Sequence, residues 1–498
     1  MQRDFTNPAP EHPPRERRRR LGPPAAALCA AALSGLAGCS AQAVYDAESL
    51  HAQGRFAAAA DALAPRMADD DGNGAPDGIE AHNTLWALLE FGKMQQDAGR
   101  FEASARTLDA ALRLFDQLAE EEIISLQGAG NNLGAILTDE RQRDYLGAYY
   151  DPIAATIAQV INMLMLGRYE EAATYARRAI DAEDASGRIT ERLELQRAAF
   201  DANTADDADN EQPDPLETAF EDRRLERRLG ELRSLAADAN GTNPYGFFAG
   251  GVAMLAANNP GEARDFAQRL EAAAGRDLLA GIASGRRLGD VVIVFFENGR
   301  APARADGSLR LSGATVVPLP VLRTRRDGRA EGLTIEGGQS RETAAPLTNL
   351  DALVAADFND RLIEIWGRPI LSQSIKAAAA ATGAAFTDNQ DSMIDELITI
   401  AGLLWAATAE PDLRSWRTLP GEQAVAWIDR PADQTLTLTL IGPSGRETIA
   451  RTVRLESREG PAFLFARSTA AGNLAVYTDR RSRPQAPRDS PQKALTRR

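Results

Sequence analysis

The sequence predicts an α+β chain of more than one domain: an N-terminal helical array, then a mixed domain holding a small β-sandwich and inserted helices. Two changes of pattern carry this expectation. Between residues 41 and 287 Ala, Leu, Glu and Arg dominate, and apolar residues recur at three- and four-residue spacing, as in Leu112, Phe115 and Leu118, the period of a one-sided helix. Near Leu288 the period shortens to two, and Leu436, Leu438 and Leu440 alternate with Thr, giving one buried and one solvated face. The 498 residues suffice for several domains, at roughly 100–200 residues each. Only 6% are aromatic, so the cores must rest largely on Ala and Leu, which favours packed helices.

Residues 1–38 read as a signal peptide. Arg15 to Arg20 form a basic cluster, residues 21–38 are apolar and uncharged, and the stretch closes on Leu36-Ala37-Gly38-Cys39. A basic start, a short apolar run and small residues before a cut are the marks of an exported precursor. The Leu-Ala-Gly-Cys end resembles the lipobox of bacterial lipoproteins. That resemblance implies acylation of the Cys39 thiol, cleavage just before it, and several acyl chains, which anchor stably where one would be marginal. Ser40 is not the Asp that retains such proteins at the inner membrane, so the expected place is the outer membrane, facing the periplasm. Removing residues 1–38 leaves 50 basic and 68 acidic side chains, a net charge of −18, and Cys39 as the only cysteine. A chain without a spare thiol suits an oxidising compartment. Strong negative charge argues against a nucleic-acid partner.

Residues 39–287 form the expected helical domain, and one phrase recurs in it. Gly54-Arg55-Phe56 is followed by Ala59, Gly99-Arg100-Phe101 by Ser104, and Gly167-Arg168-Tyr169 by Ala172; Asn259-Pro260-Gly261-Glu262-Ala263 is a looser copy. Gly would close one helix in a left-handed turn, the ring would pack into the pair, and the small residue would let the helices approach. The phrase resembles the tetratricopeptide repeat, which implies a solenoid of helical hairpins. Its spacings here depart from that family's period of about 34 residues, so the copies are degenerate and carry insertions. One insertion, residues 202–215, is acidic and lacks large apolar residues, a composition that cannot bury enough surface to fold.

Residues 288–478 form the expected β-rich domain. Val291 to Phe296 is a continuous apolar run ending in Asn298-Gly299, a hairpin signal. Further strands are expected at Thr315 to Leu322, Leu333 to Ile335, Thr448 to Leu455, Phe463 to Phe465 and Leu474 to Tyr477, with a helical insertion over residues 349–408. Many short strands with short turns suggest a sandwich. Residues 479–498 carry seven Lys or Arg and three Pro and read as a disordered basic tail.

Several phrases together resemble a little-characterised family of bacterial outer-membrane lipoproteins with tetratricopeptide-like helices: the stretch from Tyr150 to Ala179, Asn243-Pro244-Tyr245-Gly246-Phe247, Asp290 to Pro302, and Asp412 to Pro420. The resemblance implies a periplasmic protein of helical then mixed architecture. It brings no catalytic residues.

Among local sites, residues 69–80 satisfy the spacing of a twelve-residue calcium loop, with oxygens from Asp69, Asp71, Asn73, Asp77 and Glu80. Pro76 stands where an apolar residue is usual, and the bland alternative is a solvated acidic turn. Asp412 to Pro420, with Trp416 as plug, reads as packing between helices and sheet, with a ligand groove as the alternative. Gly128-Ala129-Gly130 with Gly134 lacks the preceding strand that a dinucleotide fingerprint needs. His51 and His82 read as ordinary surface or packing residues. No nucleophile elbow, phosphate loop or paired-His zinc motif occurs in the sequence. The expected function is therefore non-enzymatic: a lipid-anchored periplasmic scaffold or adaptor for an envelope protein partner. A peptidoglycan- or polysaccharide-binding module is the alternative.

Overall fold

The computed structural model describes residues 41–69, 76–128, 144–184, 223–239, 241–276, 278–279, 288–307, 309–310, 316–317, 319–362, 365–366, 411–455 and 460–479. The signal segment 1–38 with Cys39, the acidic stretch 202–215, most of the insertion beyond residue 366 and the tail from residue 480 lie outside them. Among the described residues no helix is long and apolar enough to cross a membrane.

The N-terminal part is helical: α1 (41–52), α2 (Phe56–Leu63), α3 (Thr84–Asp97), α4 (Phe101–Gly128), α5 (Tyr150–Met165), α6 (169–184), α7 (Arg223–Ala236), α8 (Pro244–Ala256) and α9 (Pro260–Ala274). The recurring phrase marks four junctions with the same backbone hydrogen bonding. Gly54, Gly99 and Gly167 have φ of 75°, 73° and 72°, and Asn258 takes the same role at 58°. The next residue then donates to a carbonyl five residues back: Arg55 to Leu50, Arg100 to Gln95, Arg168 to Met163 and Asn259 to Met254, at 2.7–3.1 Å. This is the Schellman closure, which needs a left-handed residue at its corner. Asn is among the few non-glycine residues that tolerate that conformation. The following helix starts at once, with Phe56 and Phe101 buried and Ala59, Ser104 and Ala172 wholly enclosed.

The C-terminal part builds two sheets from β1 (Val291–Asn298), β2 (Ala303–Asp306), β3 (Leu309–Arg310), β4 (Val316–Val317), β5 (Pro320–Arg323), β6 (Gly332–Gly337), β7 (Ser340–Thr343), β8 (Ala345–Asn349), β9 (Glu422–Asp429), β10 (Thr435–Ile441), β11 (Glu447–Arg454), β12 (Ala462–Ser468) and β13 (Ala475–Thr478). One sheet runs β13-β12-β1-β9-β8 and the other β11-β10-β6-β7; two-stranded pairs β2-β5 and β3-β4 stand apart. The single parallel pairing in the larger sheet is β1 with β12. Helix α10 (Leu350–Asp360) follows β8 directly, opening the predicted insertion.

The continuous apolar run of β1 has a plain cause: both of its faces are covered. Val292, Val294 and Phe296 join Leu464, Ala466, Leu333, Ile335, Leu436, Leu438 and Leu440 between the two sheets. Val291, Ile293 and Phe295 join Phe463 and Phe465 against α5, α6, α8 and α9. The layers are therefore helices, five-stranded sheet, four-stranded sheet. Each large side chain so enclosed contributes about 1.5–3 kcal/mol. The boundary expected at residue 288 separates helices from strands but not two cores, because one apolar cluster contains both.

The expected hairpin at Asn298-Gly299 does not form. Gly299 does turn, with φ of 69°, but β1 already has β9 and β12 on its two sides. Gly299 N–H donates to Ser468 O at 2.8 Å, which draws the chain across the end of β12. β2 then pairs with β5.

Candidate functional site

Cys39 lies outside the described residues, two positions before α1 begins. Of the calcium-loop ligands, Asp71 and Asn73 also lie outside them, while Asp69, Asp77 and Glu80 are described. Asp77 N–H donates to Ala68 O at 2.8 Å, closing the neck of the segment. The Glu80 carboxylate accepts from Asn83 Nδ2 at 3.3 Å. Among the described residues no three His, Cys, Asp or Glu side chains are gathered to hold a metal.

The Asp412–Pro420 segment is a buried strap over α3. Arg414 grips Asp412 through Nε and Nη2 at 2.8 and 2.9 Å, and its Nη1 donates to His82 O and Asn83 Oδ1. Trp86 Nε1 donates to Ser415 O at 3.0 Å. Trp416 is sealed in the core of α1–α5 and donates to Thr418 Oγ1. The Glu90 carboxylate accepts the backbone N–H groups of Arg417 and Thr418 at 2.5 and 3.1 Å. Burial pushes Glu90 up to about 7, against the pull of those donors.

About two helical turns further along α3, at Asp97, lies an ionic junction that the sequence reading missed. Asp97 is fully enclosed and meets Lys93, His51 Nε2 at 2.7 Å and Arg467 Nε at 2.9 Å. Lys93 also reaches Glu297 of β1 at 2.7 Å. Arg467 has no solvent exposure and spends its other donors on the carbonyls of Glu297, Gly299, Ser468 and Thr418. Two cations thus face two carboxylates, the arrangement in which buried charge is tolerated. Burial would raise Asp97, but Lys93 and Arg467 override it and hold the carboxyl well below its ordinary range. Burial pulls His51 down despite Asp97. An ionised Asp97 can only accept, so His51 Nε2 carries the proton; among the described residues Nδ1 has no partner. Spacing alone could have flagged Lys93 and Asp97 as a pair, yet a four-residue spacing on a helix usually means a surface ion pair.

A second Asp-centred cluster lies at the start of α10 and opens to solvent. Asp351 is wholly buried and holds Arg326 Nε at 2.6 Å and Arg329 Nη1 and Nη2 at 2.8 and 2.9 Å. Arg329 runs through a slot made by two glycines. A Cβ on Gly299 would strike its Nε, and one on Gly421 would strike its Nη2 and Asp351 Oδ1. Arg326 stays 49% exposed. Beside the pair is an open cavity of about 390 Å³, lined by Arg326, Arg329, Glu422 and the β8 segment 346–349. That is within the range of small-ligand pockets, about 300–1,000 Å³. Burial pushes the Glu422 carboxyl up, partly offset by a hydrogen bond from Asn298 and by Arg329.

No protein-family model, no curated protein and no solved structure matches this chain.

Proposed function

We propose that the chain is a lipid-anchored scaffold or adaptor on the periplasmic face of the outer membrane, acylated at Cys39, with helices of tetratricopeptide-like construction and an envelope protein as partner. One observation carries it. Cys39 precedes α1 by two residues, a reach of about 7 Å at most, and Val44, Ala47, Glu48 and His51 of α1 are already buried. An acylated Cys39 ties a rigid body to the membrane surface with almost no tether, as suits a platform. The four matching Schellman junctions support the repeat reading. The inner face of the helices is taken by the chain's own sheet, through pairs such as Phe101–Phe465 and Tyr169–Phe463, so the partner docks elsewhere.

The reading is non-catalytic, since Glu90 and Asp97 are committed to internal partners. The open cleft beside Glu422 bears on one alternative, a peptidoglycan- or polysaccharide-binding module, and its charges of both signs suit the peptide of peptidoglycan rather than a sugar. Crosslinking in cells from the anchored protein separates the two: a trapped protein supports the adaptor, and co-sedimentation with isolated cell wall instead overturns it. Cys39→Ser tests the anchor. The expected result is an unacylated precursor, and continued acylation at the outer membrane sinks the assignment.

A further inference from the structure

We infer that the cleft beside β8 binds a small zwitterion: an amino acid or a short peptide with a free ammonium and a free carboxylate. The inference stands on the cleft alone and does not depend on the anchor or on the adaptor reading. Four features of the cleft wall lead to it.

Arg326 supplies the cation. Its Nε is fixed on Asp351 at 2.6 Å while half of the side chain faces solvent, so the outer edge of an oriented guanidinium meets the cavity. Planar donors of this kind suit a carboxylate. Asn349 stands beside it: its Oδ1 accepts from Ala352 N–H at 3.3 Å as the cap of α10, which turns its amide donors away from that bond. Glu422 supplies the anion on the same wall. A ligand with one charge would desolvate either Glu422 or Arg326 without giving it an ionic contact, leaving each with only the partner it already has, Asn298 for Glu422 and Asp351 for Arg326. A ligand with both charges answers both.

The remaining wall decides against a longer strand. β8 is the edge of the five-stranded sheet, a position where an extended peptide could add by main-chain pairing. Pro346 offers no N–H, and the register slips between Pro346 and Thr348. Proline and a bulge are the devices by which edges refuse another strand. Thr348 is occupied, accepting from Tyr245 N–H at 3.0 Å and donating to Asn243 Oδ1 at 2.8 Å. Recognition is therefore by the two charges, with Pro346 and Leu347 as the apolar wall. Among the described residues no aromatic side chain lines the cavity to stack on a sugar ring.

The test is calorimetric titration of the full-length protein in detergent with glycyl-leucine, N-acetyl-glycyl-leucine, glycyl-leucinamide, galacturonate and inorganic phosphate. Glycyl-leucine is expected to bind, and blocking either end to weaken it at least about tenfold. Arg326→Gln should weaken glycyl-leucine but leave the already weak amide unchanged. Glu422→Gln should do the same with respect to the acetylated form. The inference is overturned if glycyl-leucine fails to bind at about 10 mM, if either blocked form binds equally well, or if galacturonate or phosphate binds as tightly. It is also overturned if both variants bind glycyl-leucine like the parent.

Discussion

Two aspartates organise this molecule, and each is gripped by two cations. Asp97 sits where α3, β1 and β12 meet, with Lys93 and Arg467, and nothing in that group reaches solvent. Asp351 sits at the start of α10 with Arg326 and Arg329, and one of those cations is half exposed. Enclosure separates their roles. At Asp97 the excess cation is answered inside, by Glu297, so the group has nothing left to offer and acts as a clasp between helices and sheet. At Asp351 the second charge faces a cavity, so the same two-to-one arrangement becomes a surface that a ligand can complete. A buried charge network stabilises by being finished, and a binding site is one left open by a single contact.

The largest expected effect breaks the enclosed clasp. Asp97→Asn takes the carboxylate from Arg467 and leaves Lys93 with Glu297, which should cost about 3–5 kcal/mol in urea unfolding. Arg326→Gln, cutting the exposed arm of the other cluster, should cost less than about 1 kcal/mol. Equal losses would mean that enclosure does not separate the two clusters. Next comes Gly421→Ala. Its Cβ would collide with Arg329 and Asp351, and overpacking of this kind costs about 1–3 kcal/mol. The same variant should abolish glycyl-leucine binding, whereas retained binding would mean that the glycine slot does not set the cleft.

The two buried carboxyls of α3, Glu90 and Asp97, should respond oppositely to pH. The folded pKa of Glu90 is raised from 4.5 to about 7. Its contribution is therefore complete below pH 4.5 and lost as pH rises toward 7. Asp97 is depressed, so its contribution is present above the ordinary carboxylate range and lost only in acid. Between pH 5 and 7 Glu90 should impose a decline of at most about 1.4 kcal/mol per pH unit, and Glu90→Gln should flatten that limb in denaturation curves. Unchanged slopes would show that Glu90 ionises normally. The smallest effect concerns a place with anions and no cation of its own, residues 69–80, which contain no Lys or Arg. Millimolar calcium should stabilise the protein by about 1 kcal/mol if the loop binds with sub-millimolar affinity. Glu80→Gln should remove the response, and coincident melts would reduce the segment to an acidic turn.

What the sequence made legible was local. The corners at Gly54, Gly99 and Gly167 are written in three adjacent residues, and the two-faced burial of β1 is visible as an unbroken apolar run. The sheet order is not local: β1 lies beside β12 and β9, and the turn signal at Gly299 cannot say that both edges of β1 are taken. The clasp is hidden for the same reason. Lys93 and Asp97 look like a surface pair until Arg467 arrives from a strand 370 residues away. Asp351, Arg326 and Arg329 lie within 25 residues of one another, yet the two glycines that make room for Arg329 come from the end of β1 and the start of β9.

That distance between Asp97 and its cation has a consequence for how the chain reaches its native state. The corners at Gly54 and Gly99 likewise rest against Asn473 and Tyr477, from the far end of the chain. The early helices therefore cannot complete their packing, nor Lys93 and Asp97 their junction, until β12 and β13 have docked. Pairings this far apart in sequence give high contact order and slow folding. A chain truncated before residue 462 lacks Arg467 and the β12 strand that pairs with β1, and should persist as an open intermediate in which Phe295 has lost its contact with Phe463.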